Sequence, residues 1–209
     1  MIDEADSRLD ATSECCAALI DALRVADAPP GVLAAVRTQL EAATALLLPF
    51  ARPGPHSQSV PGVATQRFFE VGQLDPQALM PYSPIIGRLN PVSPRLEFRT
   101  EGDRLLGRGR IPVRFVGAPG TVHGGIVAAA LDEIMGLVNV LNGEGAFTGT
   151  MSVRFHRPTP IERDLELLGE TVGKDGRKIL SRAEIRCDGE LMASAEGVFI
   201  RPRGEVQPP

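Results

Sequence analysis

The sequence predicts an α+β fold in which a mostly antiparallel sheet surrounds one long central helix, with a helical hairpin at the N-terminus. Three observations support this prediction. A segment beyond the middle of the chain is apolar on nearly every side, as a fully buried helix is. Alternating runs separated by turn residues, typical of strands in hairpins, lie on both sides of it. The first fifty residues place apolar side chains at helical spacing.

Composition bounds the function classes. The 209 residues are 43% hydrophobic and 23% charged, which suits one sizeable domain with an appendage. A net charge of -4, no Trp and a single Tyr give no reason to expect nucleic-acid binding. The three cysteines show no disulfide or zinc-ligand spacing. An acidic N-terminus and acids within the longest apolar run predict a cytoplasmic protein that has no signal peptide and does not contact a membrane.

Residues 1–50 are predicted to form the helical hairpin. Asp27 is expected to cap its second helix, with Pro29 and Pro30 at the first positions. Each helix has one apolar stripe, and we expect the hairpin to bury it against the main domain or a partner subunit.

Residues 51–81 are predicted to be a linker and an extended segment, because Pro, Gly and Ser dominate the start of this region. The prolines of MPYSPIIGRLNPVSPR exclude a regular helix or strand, so this run is expected to lie extended over a surface. The main domain is predicted to span residues 82–203, followed by a disordered tail at 204–209.

Within the main domain, two strands precede the central helix and four follow it. PRLEFRTEGDRLLGRGRIPVRF holds two alternating runs joined by Glu101-Gly102-Asp103. FTGTMSVRFHRPTP is the first strand after the helix. Turns at Lys174-Asp175-Gly176 and Asp188-Gly189 divide the remainder into three more. This order is typical of an α+β architecture.

The two ends of the apolar run HGGIVAAALDEIMGLVNVLN carry the candidate chemistry. The first amides of a helix have no acceptor within it and carry the positive end of its dipole. Gly124 and Gly125 have no side chain to cover these amides, so an oxygen that becomes negative during a reaction can approach them. Asp132 is the second candidate, because an acid midway along a buried helix needs a strong reason to be there.

Asp132 follows Gly125 by seven residues. Two helical turns put both on the same side, roughly 10 Å apart, which is too far for one small group to contact both. A two-fold dimer with antiparallel helices would bring Gly125 of one subunit near Asp132 of the other, so the spacing predicts a shared site. Glu133 stays an alternative acid, although it is rotated by about 100°.

HGGIVAAALDE followed by TGTMSVRFHRPTP resembles the hot-dog-fold acyl-CoA thioesterases of the phenylacetyl-CoA and human thioesterase-superfamily type. In that family His-Gly-Gly opens the central helix and an acid follows nine residues after the His, as Asp132 follows His123. A Thr or Ser precedes the next strand, which ends in an Arg-Pro step; Thr148 and Arg157 occupy these places. The resemblance covers roughly residues 82–201.

The resemblance implies hydrolysis of an acyl-CoA thioester to a free acid and coenzyme A without metal or cofactor, in a homodimer or a dimer of dimers (a homotetramer). The Gly125 amide would polarise the thioester carbonyl. Asp132 would act as general base on water or as nucleophile. Thr148 would orient the acid or the water, and His123 would shape the thioester pocket.

Substrate-binding roles are predicted for Gly124, Glu133 and Arg157, the last because a guanidinium group suits the phosphates of coenzyme A. Two alternatives remain open. One is a non-catalytic acyl-CoA-binding hot-dog protein, a sensor or scaffold. The other, a hot-dog dehydratase or hydratase, is less favoured because that type expects an Asp ahead of the His on the same segment.

Overall fold

The computed structural model describes residues 4–54, 56–59 and 76–203. The predicted tail at 204–209 and much of the predicted linker lie outside the described residues. The helices are α1 Glu4–Val25, α2 Pro30–Leu47, α3 Pro76–Leu79 and α4 Gly124–Leu141. The strands are β1 Glu97–Glu101, β2 Arg104–Gly109, β3 Phe147–Phe155, β4 Leu165–Asp175, β5 Lys178–Cys187 and β6 Glu190–Ile200.

The six strands form one antiparallel sheet in the order β1-β2-β4-β5-β6-β3. The predicted hairpin turns at 101–103, 174–176 and 188–189 all join neighbouring strands of this sheet. The α+β class and the sequence of two strands, a helix and four strands are therefore confirmed. Strands β1 and β3 form the two edges.

The sheet packs around α4, which supplies much of the hydrophobic core. Eight of its residues are buried, among them Leu131, Ile134 and Met135 with no exposed surface. Helix and sheet approach closely at Gly169 of β4, where an ideal Cβ would lie 2.8 Å from Ile134 Cγ1 and 3.1 Å from the Ile134 carbonyl oxygen. A side chain at this position would push α4 away from the sheet.

The N-terminal helices form as predicted, but they do not pack as predicted. Helix α1 contacts the main domain through a face of small and acidic residues, with Ser13 and Ala17 buried, whereas Leu9 and Leu23 are exposed. Of the predicted stripe, Leu19 and Ile20 are half-buried, so α1 does not dock on this domain mainly through apolar side chains, and burial of the stripe against a partner subunit stays a prediction. The cap is also different: α2 starts after Pro29 with no side-chain hydrogen bond, so Asp27 does not cap it.

Helix α2 buries none of its residues in the described part of the chain. Its C-terminal side chains Leu46 and Leu47 are 74% and 65% exposed, and Leu48, which follows the helix, is 66% exposed. By length and composition alone, the segment Pro30–Phe50 is apolar enough to cross a membrane, as is α4, the core helix of this fold.

The proline-rich run before β1 is irregular, as predicted, but it does not lie over a surface. Ile86, Ser83 and Ser93 have no exposed area, and Ile85 and Leu96 join the same core as α4. Short turns bring these side chains inward, because proline prevents regular structure without preventing burial. The run closes one side of the core.

We expect Gly169→Ala to lower the free energy of unfolding by about 1–3 kcal/mol, because the added methyl group overpacks the contact with Ile134. Gly136→Ala is the matched control on α4. There an ideal Cβ meets only Phe199 Cε1 at 3.9 Å, an ordinary contact. This variant should gain about 0.5–1 kcal/mol from helix propensity. Chemical denaturation measures both; equal effects of the two substitutions would contradict the packing argument.

Candidate active site

His123 caps the N-terminus of α4 and determines which amide is free. Its Nδ1 accepts the Gly125 amide at 3.0 Å, and its carbonyl accepts the amides of Ile126 and Val127. The Gly124 amide has no acceptor among the described residues. The prediction that Gly125 presents its amide to a ligand is therefore wrong for this structure, because the imidazole occupies that amide; the available donor is Gly124.

A cavity of about 300 Å³ opens beside Gly124. It contains two of the predicted substrate-binding residues, Gly124 and Arg157, and His156, which also contacts Ser194 Oγ at 2.9 Å. The wall is mostly apolar around a few polar groups, as ligand pockets usually are. Its lining residues are Thr121, Val122, Gly124, Val127, Phe155, His156, Arg157, Pro158 and Thr159.

Asp132 and Thr148, predicted to act together, lie in direct contact. Thr148 Oγ1 donates a hydrogen bond to Asp132 Oδ1 at 2.9 Å. No other partner of this carboxylate is found in the described part of the chain, so Oδ2 is available to a further donor. The hydroxyl fixes the orientation of the acid and leaves one oxygen to react.

A β-bulge in β3 brings Thr148 to Asp132. Met151 packs against the core, so strict alternation would point Thr148 to the outer face of the sheet. Instead, the register with β6 shifts between Thr148 and Thr150, and Gly149 is the extra residue. Thr148 then pairs with Phe199 and faces α4. An isolated glycine in a strand pattern is the sequence signal that would have identified this bulge.

Glu133 lies apart from this pair and is half-buried. It accepts a hydrogen bond from Ser83 Oγ, which also accepts the amides of Ile85 and Ile86. Burial is the main reason that the pKa of the Glu133 carboxyl lies above its ordinary value; the Ser83 hydrogen bond opposes the rise and the neighbouring Asp132 charge adds to it. Glu133 does not line the cavity, so its predicted substrate-binding role is not supported.

The site is thus divided between two places on α4. The free amide, the cavity and Arg157 are at its first turn, and Arg157 Nη2 contacts Glu190 Oε2 at 2.9 Å. The acid and Thr148 lie two turns further, about 12 Å along the axis. Within residues 4–54, 56–59 and 76–203, no three His, Cys, Asp or Glu side chains cluster as a metal site would require.

Comparisons with known proteins identify relatives of part of this chain. Residues 119–193 match the model of the thioesterase superfamily. Human acyl-coenzyme A thioesterase THEM5 is 30% identical over 95 residues, which cover 44% of this chain and 38% of the relative. Bovine THEM4 is 29% identical over 87 residues, 41% and 35% of the two chains. Less than half the length of these relatives is therefore matched.

A crystal structure of a thioesterase superfamily protein superposes on 92% of this chain and 90% of its own, with a TM-score of 0.80 and 27% identity. This match and the sheet around α4 define a hot-dog fold. Residues 119–193 match the thioesterase superfamily, and the predicted resemblance is confirmed.

The buried Glu133 should make stability depend on pH. Since its folded-state pKa is raised above the ordinary 4.5, the folded chain holds this proton more tightly, and stability falls as pH rises from 4.5 through the raised value. Glu133→Gln keeps an acceptor for Ser83 and removes the charge. As pH rises through that window, the melting temperature of Glu133→Gln should increase relative to that of the parent protein. A constant difference between pH 4 and 8 would contradict this.

Proposed function

We propose that this chain is an acyl-CoA thioesterase, which converts an acyl-CoA and water into a free acid and coenzyme A. One arrangement carries the proposal: Asp132, oriented by Thr148, lies two turns from a free helix N-terminal amide at Gly124. An amide that stabilises an oxyanion and an acid that activates water are the two groups this hydrolysis needs. The named activity of the THEM5 and THEM4 relatives supports it.

In the proposed reaction the thioester oxygen accepts the Gly124 amide and gains from the positive end of the α4 dipole. Asp132 either takes a proton from the attacking water or attacks the carbonyl carbon itself. In the first case, the water oxygen bonds to that carbon, the C–S bond breaks, and the departing thiolate receives a proton. In the second, the carboxylate oxygen bonds to that carbon, the C–S bond breaks and the departing thiolate takes a proton from water; a further water then hydrolyses the acyl-aspartyl anhydride to the free acid and the carboxylate. Thr148 holds the carboxylate in both.

We further propose that each site combines two subunits, because about 12 Å of α4 separates the amide from the acid of one chain. An antiparallel pair of α4 helices would bring Gly124 of one subunit to Asp132 of the other, twice. The edge strand β3 is suited to such a contact. It pairs only with β6 in the described structure, and its Phe147 and Phe155 are 57% and 54% exposed.

The first test measures release of free thiol from a panel of aromatic and aliphatic acyl-CoAs. We expect Asp132→Asn to lower kcat/KM by about 10²–10⁴, the usual contribution of a general base. Glu133→Gln is the matched control, an adjacent acid on the same helix that contacts Ser83 instead of the cavity, and it should retain turnover. Full activity in Asp132→Asn would show that the assignment is wrong. Binding of acyl-CoA without thiol release by the parent protein would favour a sensor.

The second test uses Gly124→Pro, which removes the amide hydrogen without breaking the helix, because proline is favoured at a first helical position. His123 already has the extended backbone that a following proline needs, with φ -60° and ψ 131°. We expect kcat to fall by about 10²–10³.

Refolding equal amounts of Gly124→Pro and Asp132→Asn together tests the shared site. Half of the dimers would be mixed, and each would hold one intact site, so about a quarter of the parent activity should return. If both variants are inactive alone and the mixture is also inactive, the site lies within one subunit.

A further inference from the structure

The 3₁₀ turn that precedes α4 is in contact with both α1 and the first turn of α4. The 3₁₀ turn Val113–Phe115 carries Arg114, whose side chain is only 8% exposed. Its Nη1 contacts Asp21 Oδ2 of α1 at 2.5 Å, its backbone amide donates to Asp21 Oδ1 at 3.2 Å, and its Nη2 donates to the Ser93 carbonyl at 2.7 Å. The Asp21 carboxylate therefore holds both the backbone and the side chain of Arg114.

Phe115, the next residue, contacts the backbone just before α4. The carbonyl of Phe115 accepts the His123 amide at 2.9 Å. The backbone at Gly117 lies close against His123, because an ideal Cβ on Gly117 would lie 2.8 Å from His123 Cα. A shift of the 3₁₀ turn therefore moves His123, and with it the adjacent Gly124 amide.

We infer that Asp21, acting through Arg114 and the Phe115 carbonyl, is a positioning residue for the first turn of α4. This inference rests on the proposed function for its effect on turnover. It assigns α1, which lies outside the region matched to the thioesterase superfamily, a role in aligning the oxyanion-binding amide. Neither Asp21 nor Arg114 lines the cavity. A displacement of about 1 Å at a reacting centre can cost a hundredfold in rate.

Helix α1 provides its own control. Asp10 forms a second ion pair with the main domain, to Arg95 Nη1 at 3.4 Å, and the exposed fractions of the two acids are alike, 31% for Asp10 and 30% for Asp21. The Arg95 side chain, which pairs with Asp10, donates to Ser13 and the Arg88 carbonyl and makes no direct contact with the 3₁₀ turn; only its backbone amide reaches Ser93, at the hydroxyl and not at the carbonyl that Arg114 contacts. Loss of Asp10 should therefore loosen α1 without moving His123.

The experiment compares Asp21→Asn with Asp10→Asn in the full chain, by kcat and KM for thiol release and by hydrogen exchange in peptides covering residues 113–125. For Asp21→Asn we expect kcat to fall about ten- to a hundredfold with KM little changed, and faster exchange in that region. Asp10→Asn should leave both near the parent's values.

Asp21→Glu, which keeps the carboxylate, should recover part of the loss. Arg114→Lys, which keeps the charge but not the contact to Ser93, is a second variant if Asp21→Asn does not fold.

Equal effects of the two Asn variants would overturn the inference, because α1 would then act only as a general support. Unchanged kcat and unchanged exchange in folded Asp21→Asn would overturn it as well, and so would unchanged values in Arg114→Lys if that variant replaces it. If the parent protein releases no thiol, the proposed function fails, and the exchange data alone decide whether Asp21 positions the turn.

Discussion

Two adjacent acids on a buried helix set the constraint on which this structure depends. Helix α4 is surrounded by apolar groups, so each of its carboxyl groups needs a polar partner close by. Asp132 takes Thr148 from β3, and Glu133 takes Ser83 from the proline-rich run. The two side chains are about 100° apart around the axis, so these contacts together fix the rotation of the helix. Further along α4, buried Asn139 Oδ1 accepts the hydroxyls of Thr171 and Ser181.

This constraint explains two features that look unrelated in the sequence. The bulge at Gly149 exists where the strand must turn a hydroxyl toward Asp132, and a Cβ there would lie 2.9 Å from Ile200 Cγ1. The buried proline-rich run places Ser83 at Glu133, and its turns direct the amides of Ile85 and Ile86 at the same hydroxyl. Both acids are half-buried, and each is oriented by one hydroxyl group.

The spacing of apolar residues predicted the parts of this fold that depend on local sequence alone. A helix apolar on all sides had to be buried, and alternating runs with strong turns had to form a sheet. What periodicity missed depends on a partner distant in sequence. Whether Gly124 or Gly125 offers its amide is decided by the His123 side chain, and the position of Thr148 is decided by one extra residue in a strand. Ser83 carried no signal, because its role exists only opposite Glu133.

The packing of the N-terminal helices was also beyond prediction from local sequence. An apolar stripe predicts that a helix packs, but not which face packs. Helix α1 uses Ser13, Ala17 and two acids, so it is held by directional contacts to Arg95 and Arg114. Buried hydrophobic contacts tolerate sliding of one element over another, whereas an ion pair with several hydrogen bonds fixes distance and angle. A polar interface is thus the kind that can transmit the position of α1 to the turn holding His123, which an apolar stripe would do less well.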